Sequence, residues 1–184
     1  MKMAKKLVAV LLAGVLALSV LSACSGSAGP LTEATVKDYI LDIGKAEGYD
    51  YQSSTKLDAD AATILNYVNT KTGYSKYAAV KPKDLFDAVV DDYAEDICTT
   101  ISAEDGYAYT VTCVLVESYR TDLFNQGQTA AIAGSLVMRQ HDLKEVDGDM
   151  NVDTAEVGVT RGTLNGADCV VALFKYEKAD EPEE

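Results

Sequence analysis

A chain of 184 residues, 48 % of them hydrophobic, is long enough to bury a sizeable core. Its 16 basic and 29 acidic residues leave a formal net charge of −13, which repels nucleic-acid phosphates and sets nucleic acid aside as a partner. Tryptophan is absent, and eleven tyrosines carry most of the aromatic content.

The chain opens with Lys2, Lys5 and Lys6 and no acid, followed by an apolar run from Leu7 to Leu21 broken only by Gly14 and Ser19. A basic start, a short apolar stretch and a small-residue end are the signature of a secretion signal rather than a membrane span. The end reads Leu21-Ser22-Ala23-Cys24, which resembles the lipobox of bacterial lipoproteins. That resemblance implies lipid transfer to the Cys24 thiol, cleavage before it, and anchoring on the extracytoplasmic face of the cell membrane. Each buried acyl methylene contributes roughly 0.8 kcal/mol, so two or three chains hold stably where one does not. The expected organisation is a signal at 1–23, a lipidated Ser/Gly tether at 24–31, a single α+β domain at 32–177 and a disordered acidic tail at 178–184. The signal takes three of the bases and none of the acids, leaving the mature chain at −16.

Within the domain, Thr32 is the expected N-cap of a first helix, with Leu31 and Val36 placed as a hydrophobic staple. Val36, Tyr39, Ile40 and Ile43 repeat at helical spacing, and Gly48 is the stop. A second helix carries Leu57, Ala61, Ile64, Leu65 and Val68 and ends before Gly73. A third starts at Pro82 with Phe86, Val89, Val90, Tyr93 and Ile97 on its stripe and Asp84, Asp87, Asp91 and Asp92 off it. The period then changes. Ile97 to Ser102 and Tyr107 to Val116 are β-rich and flank Asp105-Gly106, which reads as a hairpin. A nearly all-apolar fourth helix, about Gln128 to Met138, reads as buried. A second hairpin joins Thr154–Leu164 to Cys169–Tyr176 through Asn165-Gly166. The expected fold is helices packed on a mainly antiparallel sheet built from two hairpins.

The C-terminal third resembles the CAP superfamily of cysteine-rich secretory proteins, antigen 5 and pathogenesis-related proteins. The residues that carry the likeness are Met138-Arg139-Gln140-His141-Asp142-Leu143 at a helix end, Glu156-Val157-Gly158-Val159 in a strand, and Val170-Val171-Ala172-Leu173-Phe174 in the last strand. Two N-terminal registers fit. One uses Ile40 to Gly48 with Leu57 to Ala62; the other uses Leu65 to Gly73 with Leu85 to Ile97. The resemblance implies an α-β-α sandwich. The family's cleft holds a cation between two histidines and two acids, and only His141 falls on one of those positions. Lys76 stands where the first register would put the other histidine, and Ala94-Glu95-Asp96 only loosely echoes the Gly-Glu-Asn motif. The likeness therefore implies a CAP-like domain whose divalent site is lost.

Three further groups have an ordinary and a functional reading. His141, the only histidine, is a structural or exposed residue, or else the general base of a CAP-like hydrolase or metal enzyme. Asp147, Asp149, Asn151 and Asp153 alternate as calcium ligands do. Val152 and Gly158 stand where such a loop needs glycine and a bidentate carboxylate, so a solvated acidic loop is the ordinary reading. Tyr107 and Tyr109 share a strand face as half-buried sheet surface or as a sugar-stacking platform. No cofactor is expected.

Cys98, Cys113 and Cys169 show no CxxC spacing, which sets zinc aside; outside the cytoplasm they make one bridge and a spare thiol, or stay free. A two-residue turn at Asp105-Gly106 would face Cys98 with Cys113, making that pair the disulfide candidate. The expected function is a non-enzymatic binding module, anchored to the membrane through Cys24, for a protein or small ligand. The alternatives are the His141 enzyme and a purely structural envelope lipoprotein.

Overall fold

A computed structural model describes residues 31–101, 103–119, 125–144 and 153–178, without the side chains of 125–126 and 141–144. In chain order the elements are α1 (Glu33–Glu47), β1 (Asp50–Ser53), α2 (Thr55–Thr72), a 3-10 turn (Ser75–Tyr77), α3 (Pro82–Asp92), α4 (Ala94–Thr100), β2 (Tyr107–Leu115), a second 3-10 turn (Val116–Tyr119), α5 (Asn125–Lys144), β3 (Thr154–Leu164) and β4 (Ala167–Glu177). The fold is α+β.

The first helix follows its end signals. The Thr32 hydroxyl accepts the Thr35 N–H at 3.2 Å, and the Thr35 hydroxyl accepts the Thr32 N–H at 3.0 Å, a reciprocal capping box. Gly48 ends the helix at φ 87°, a left-handed conformation that glycine adopts without strain. Val36, Ile40 and Ile43 are buried on its inner face. Leu57, Ala61, Ile64, Leu65 and Val68 do the same on α2, and Pro82 occupies the first turn of α3.

The four strands lie in the order β1-β3-β4-β2. β3 and β4 form the hairpin, with Asn165 at φ 49° and Gly166 at φ 86°, as a type I′ turn requires. β2 joins β4 antiparallel, and β1 joins β3 parallel. Alternate residues of β4 then point to opposite cores. Val170, Ala172, Phe174 and Tyr176 pack with α1 and α5, whereas Cys169, Val171 and Leu173 pack with α2 and α3. Helices thus cover both faces, and residues 169 to 176 are buried without interruption, the pattern of a strand covered on both sides.

Two expectations need correction. β1 was not anticipated: four residues are too short to show a period, and its place is set by Tyr51, which is buried against α1 where Gly44 has no side chain. The sheet also contains one hairpin rather than two. Ile97–Thr100, expected to open a strand, lie instead in helix α4 (Ala94–Thr100). Its β-branched residues fit a helix because Thr99 and Thr100 return their hydroxyls to the Asp96 carbonyl at 2.8 and 2.7 Å, while Ile97 and Ile101, one turn apart, are both buried. Asp105-Gly106 is a turn, with Gly106 at φ 80°, but it leads from the end of this helical region into β2. α5 also runs longer than its apolar stretch suggested.

The tightest helix–sheet approach is at Gly158 of β3, where a Cβ would collide with the backbone of Leu57 and Asp58. This closeness lets α2 finish the edge of β3 beyond the short β1. The Asp58 carboxylate accepts the Val159 N–H at 2.8 Å and pairs with Lys37 of α1 at 2.7 Å; Glu33 accepts the Arg161 N–H at 2.7 Å. Asn69 then donates to the Thr163 carbonyl at 2.7 Å and accepts the Asn165 N–H at 3.0 Å. Edge groups that could pair with another chain are thereby satisfied by side chains.

Candidate functional site

The register of the strands sets the opposite end of the sheet. Gln52, Glu156, Lys175 and Tyr109 form one row across all four strands, and two residues further on Asp50 pairs with Thr154 and Tyr107 with Glu177. These positions lie beyond the N-terminus of α2, and here the apolar pattern gives way to charge. A cleft of about 140 Å³ opens among Asp50, Gln52, Tyr107, Thr154, Glu156 and Lys175.

Lys175 is the centre of this site. It is only 8 % exposed, on a strand otherwise apolar from Val170 to Phe174. A buried ammonium needs partners. Its Nζ donates to Glu104 at 2.9 Å, pairs with Glu156 at 3.6 Å, and sits 3.9 Å from the Tyr107 ring centre. Burial alone would lower its pKa, but the Glu104 hydrogen bond and the neighbouring carboxylates outweigh it, and the net shift is upward. Glu104 is hydrogen-bonded by Lys56 and Lys175, which hold its carboxyl down at about 2. The Tyr109 hydroxyl fixes the loop by accepting the Glu104 N–H at 3.2 Å. Both charges are therefore locked across the neutral range. Neither is poised to move a proton near neutral pH. Acids outnumber bases around the site, which suits a small polar ligand bearing positive charge.

A second polar feature lies beneath the α5 side of the same end. Gln140 is fully buried and donates to the Tyr176 hydroxyl; burial drives the Tyr176 hydroxyl strongly upward, followed by the nearby Tyr51. The Tyr51 and Phe174 rings meet edge to face at 5.9 Å. This polar link between α5 and β4 sits inside the apolar layer and fixes their relative register.

The residues singled out from the sequence fare differently. Cys24 lies outside the described residues, as do Asp147, Asp149 and Asn151. Asp153 is exposed just before β3, and its carbonyl accepts the Asp50 N–H at 2.7 Å. His141 is in the last turns of α5, with its side chain outside the description. Lys76 pairs with Asp92 at 3.1 Å and lies over the Tyr77 and Tyr93 rings. Asp96 accepts the Tyr67 hydroxyl at 2.6 Å. Cys98 is exposed on α4, so it does not face Cys113, which is buried on β2. The expected Cys98–Cys113 pairing fails with the hairpin that would have produced it. Tyr107 and Tyr109 do share a face, one under Lys175 and one on Glu104.

Sequence reading missed Lys175, Glu104 and Glu156. A signal for the first was present, since a single lysine closing an apolar run destined for burial implies a compensating partner. Nothing in the sequence named that partner, because Glu104 lies 71 positions away. Among the described residues, no group of three or more His, Cys, Asp or Glu is arranged to hold a metal ion, and no helix is long and apolar enough to cross a membrane. No known family matches the chain, and no curated protein or solved structure matches it.

Proposed function

We propose that this chain is a lipid-anchored extracytoplasmic lipoprotein whose domain binds a small polar, cation-bearing ligand at the open end of its sheet, without catalysing a reaction. The observation that carries the anchoring is the Leu21-Ser22-Ala23-Cys24 box directly after a basic start and an apolar run. Domain geometry supports it. The tether joins the domain at Leu31, whose carbonyl accepts from Arg161 at 2.6 Å, close to the β3–β4 turn. Arg161 and Thr154 are separated along β3 by about 23 Å at about 3.3 Å per residue. A lipid on Cys24 would then approach from the β3–β4 turn, with the Lys175 cleft at the opposite end of the sheet. The acidic domain is further repelled by anionic headgroups.

Cys24→Ala tests the anchoring: the variant should move from the membrane fraction to the soluble or secreted fraction, and unchanged membrane retention would contradict the proposal. A second reading is favoured by one observation. Helices on both faces of the sheet make the arrangement that the CAP resemblance implies, so we propose CAP-like ancestry with a lost cation site. An experimental structure showing the His141 imidazole in a cleft with two carboxylates would contradict the loss.

A further inference from the structure

In the β2–β4 ladder Cys113 stands opposite Val171, and Leu115 stands opposite Cys169. Cys113 and Cys169 are therefore diagonal neighbours on adjacent strands, and both point into the core under α2 and α3. Side chains at diagonal positions of an antiparallel pair remain within reach, and the right-handed twist of a sheet draws one of its two diagonals closer. The neighbouring Cys169 thiol, together with burial, pushes the Cys113 thiol well above its ordinary range. Both residues are buried, at 4 % and 0 % exposure. The strand is pinned from outside as well: Arg139 of α5 donates to the Cys113 carbonyl at 2.9 Å and pairs with Asp87 of α3 at 3.4 Å. Cys98 sits exposed on α4 and has no part in this arrangement.

We propose that Cys113 and Cys169 are the disulfide pair of this protein, closed by exchange with an external disulfide as the domain folds in an oxidising compartment, and that Cys98 remains a free thiol. One thiolate attacks a sulfur of the external disulfide, forming a mixed disulfide and releasing one thiol. The second cysteine's thiolate displaces the remaining external thiol. Two S–H bonds are lost and one S–S bond forms, and the two protons and two electrons leave with the external disulfide as two thiols. Because both sulfurs are buried in the folded domain, closure precedes the final packing of α2 and α3 over β2. The timing rests on the extracytoplasmic reading; the pairing does not.

The test uses the full chain carrying Cys24→Ser, denatured and refolded in a mixture of reduced and oxidised glutathione, then alkylated and digested without reduction. The expected product is one linked peptide joining Cys113 to Cys169, with Cys98 alkylated. Cys113→Ser and Cys169→Ser should each abolish it, Cys98→Ser should leave it intact, and the bridged chain should unfold at higher urea than the reduced one. Three alkylated cysteines, or a link that includes Cys98, would overturn the proposal. The same mapping on protein taken from native membranes separates the two readings. A bridge there supports both, whereas free Cys113 and Cys169 there, with the bridge forming in glutathione, would count against the extracytoplasmic reading and leave the pairing standing.

Discussion

The two ends of the sheet are built on opposite plans. At the β3–β4 turn several polar groups are tied down by side chains. Asn69 clamps the turn from α2, and Arg161 forks onto Asp168 at 3.1 and 2.6 Å and donates to the Leu31 carbonyl. At the far end the strands run past α2, and a buried lysine is shared among Glu104, Glu156 and a tyrosine ring. The first end is where apolar periodicity and turn residues agree; the second is where that agreement lapses. A fold conflict that is resolved by charge, on an uncovered surface, is the more promising place for recognition.

The largest effect should come from the junction between these ends. Gly158→Val would force a side chain into the backbone of α2 and should prevent folding outright, and Gly158→Ala should cost at least about 3 kcal/mol in urea unfolding. A mild effect of Gly158→Ala would show that α2 is free to lift away, and that the two ends are not mechanically separated.

Next comes Asp58→Ala. It orphans the Val159 N–H and leaves Lys37, part-buried at 13 % exposure, without its carboxylate. A loss of about 2–3 kcal/mol is expected by chemical denaturation. Asn69→Ala, at the closed end, should cost about 1 kcal/mol and weaken hydrogen-exchange protection mainly at Thr163 and Asn165.

The open end should respond to pH instead. Folding lowers the Glu104 pKa from 4.5 to about 2 through Lys56 and then Lys175. A depressed carboxyl contributes stability that is fully present above about pH 4.5 and is lost as pH falls towards 2. Glu104→Gln should therefore flatten the stability profile between those values and change little near neutrality. An unchanged acid limb would remove Glu104 from the account. The smallest effect is expected from divalent ions: zinc and calcium titrated calorimetrically should show no stoichiometric micromolar site, and such a site would revive the metal reading of Asp147, Asp149, Asn151, Asp153 or His141.

Much of this fold is legible in the sequence where local and tertiary preferences coincide. Thr32, Gly48, Pro82 and Asn165-Gly166 mark ends and turns by their own backbone chemistry, and they stand where that chemistry places them. Ile97 to Ile101 misleads because β-branched residues favour strands locally, while burial of Ile97 and Ile101 selects a helix that sequence alone does not reveal. The same error displaced Cys98 and concealed the Cys113–Cys169 neighbourhood, which depends on the β2–β4 register and not on any turn. The candidate cleft was legible only as an odd lysine. Its partners come from β2, β3 and the loop before β2, and sequence periodicity carries no information about which strand ends become neighbours.

The most direct measurement of the central claim is the mass of the amino-terminal peptide of the protein extracted from native membranes. The account predicts that residues 1–23 are gone and that the chain begins at Cys24 carrying a diacylglyceryl thioether. An unmodified amino terminus, or a first residue other than Cys24, would contradict it.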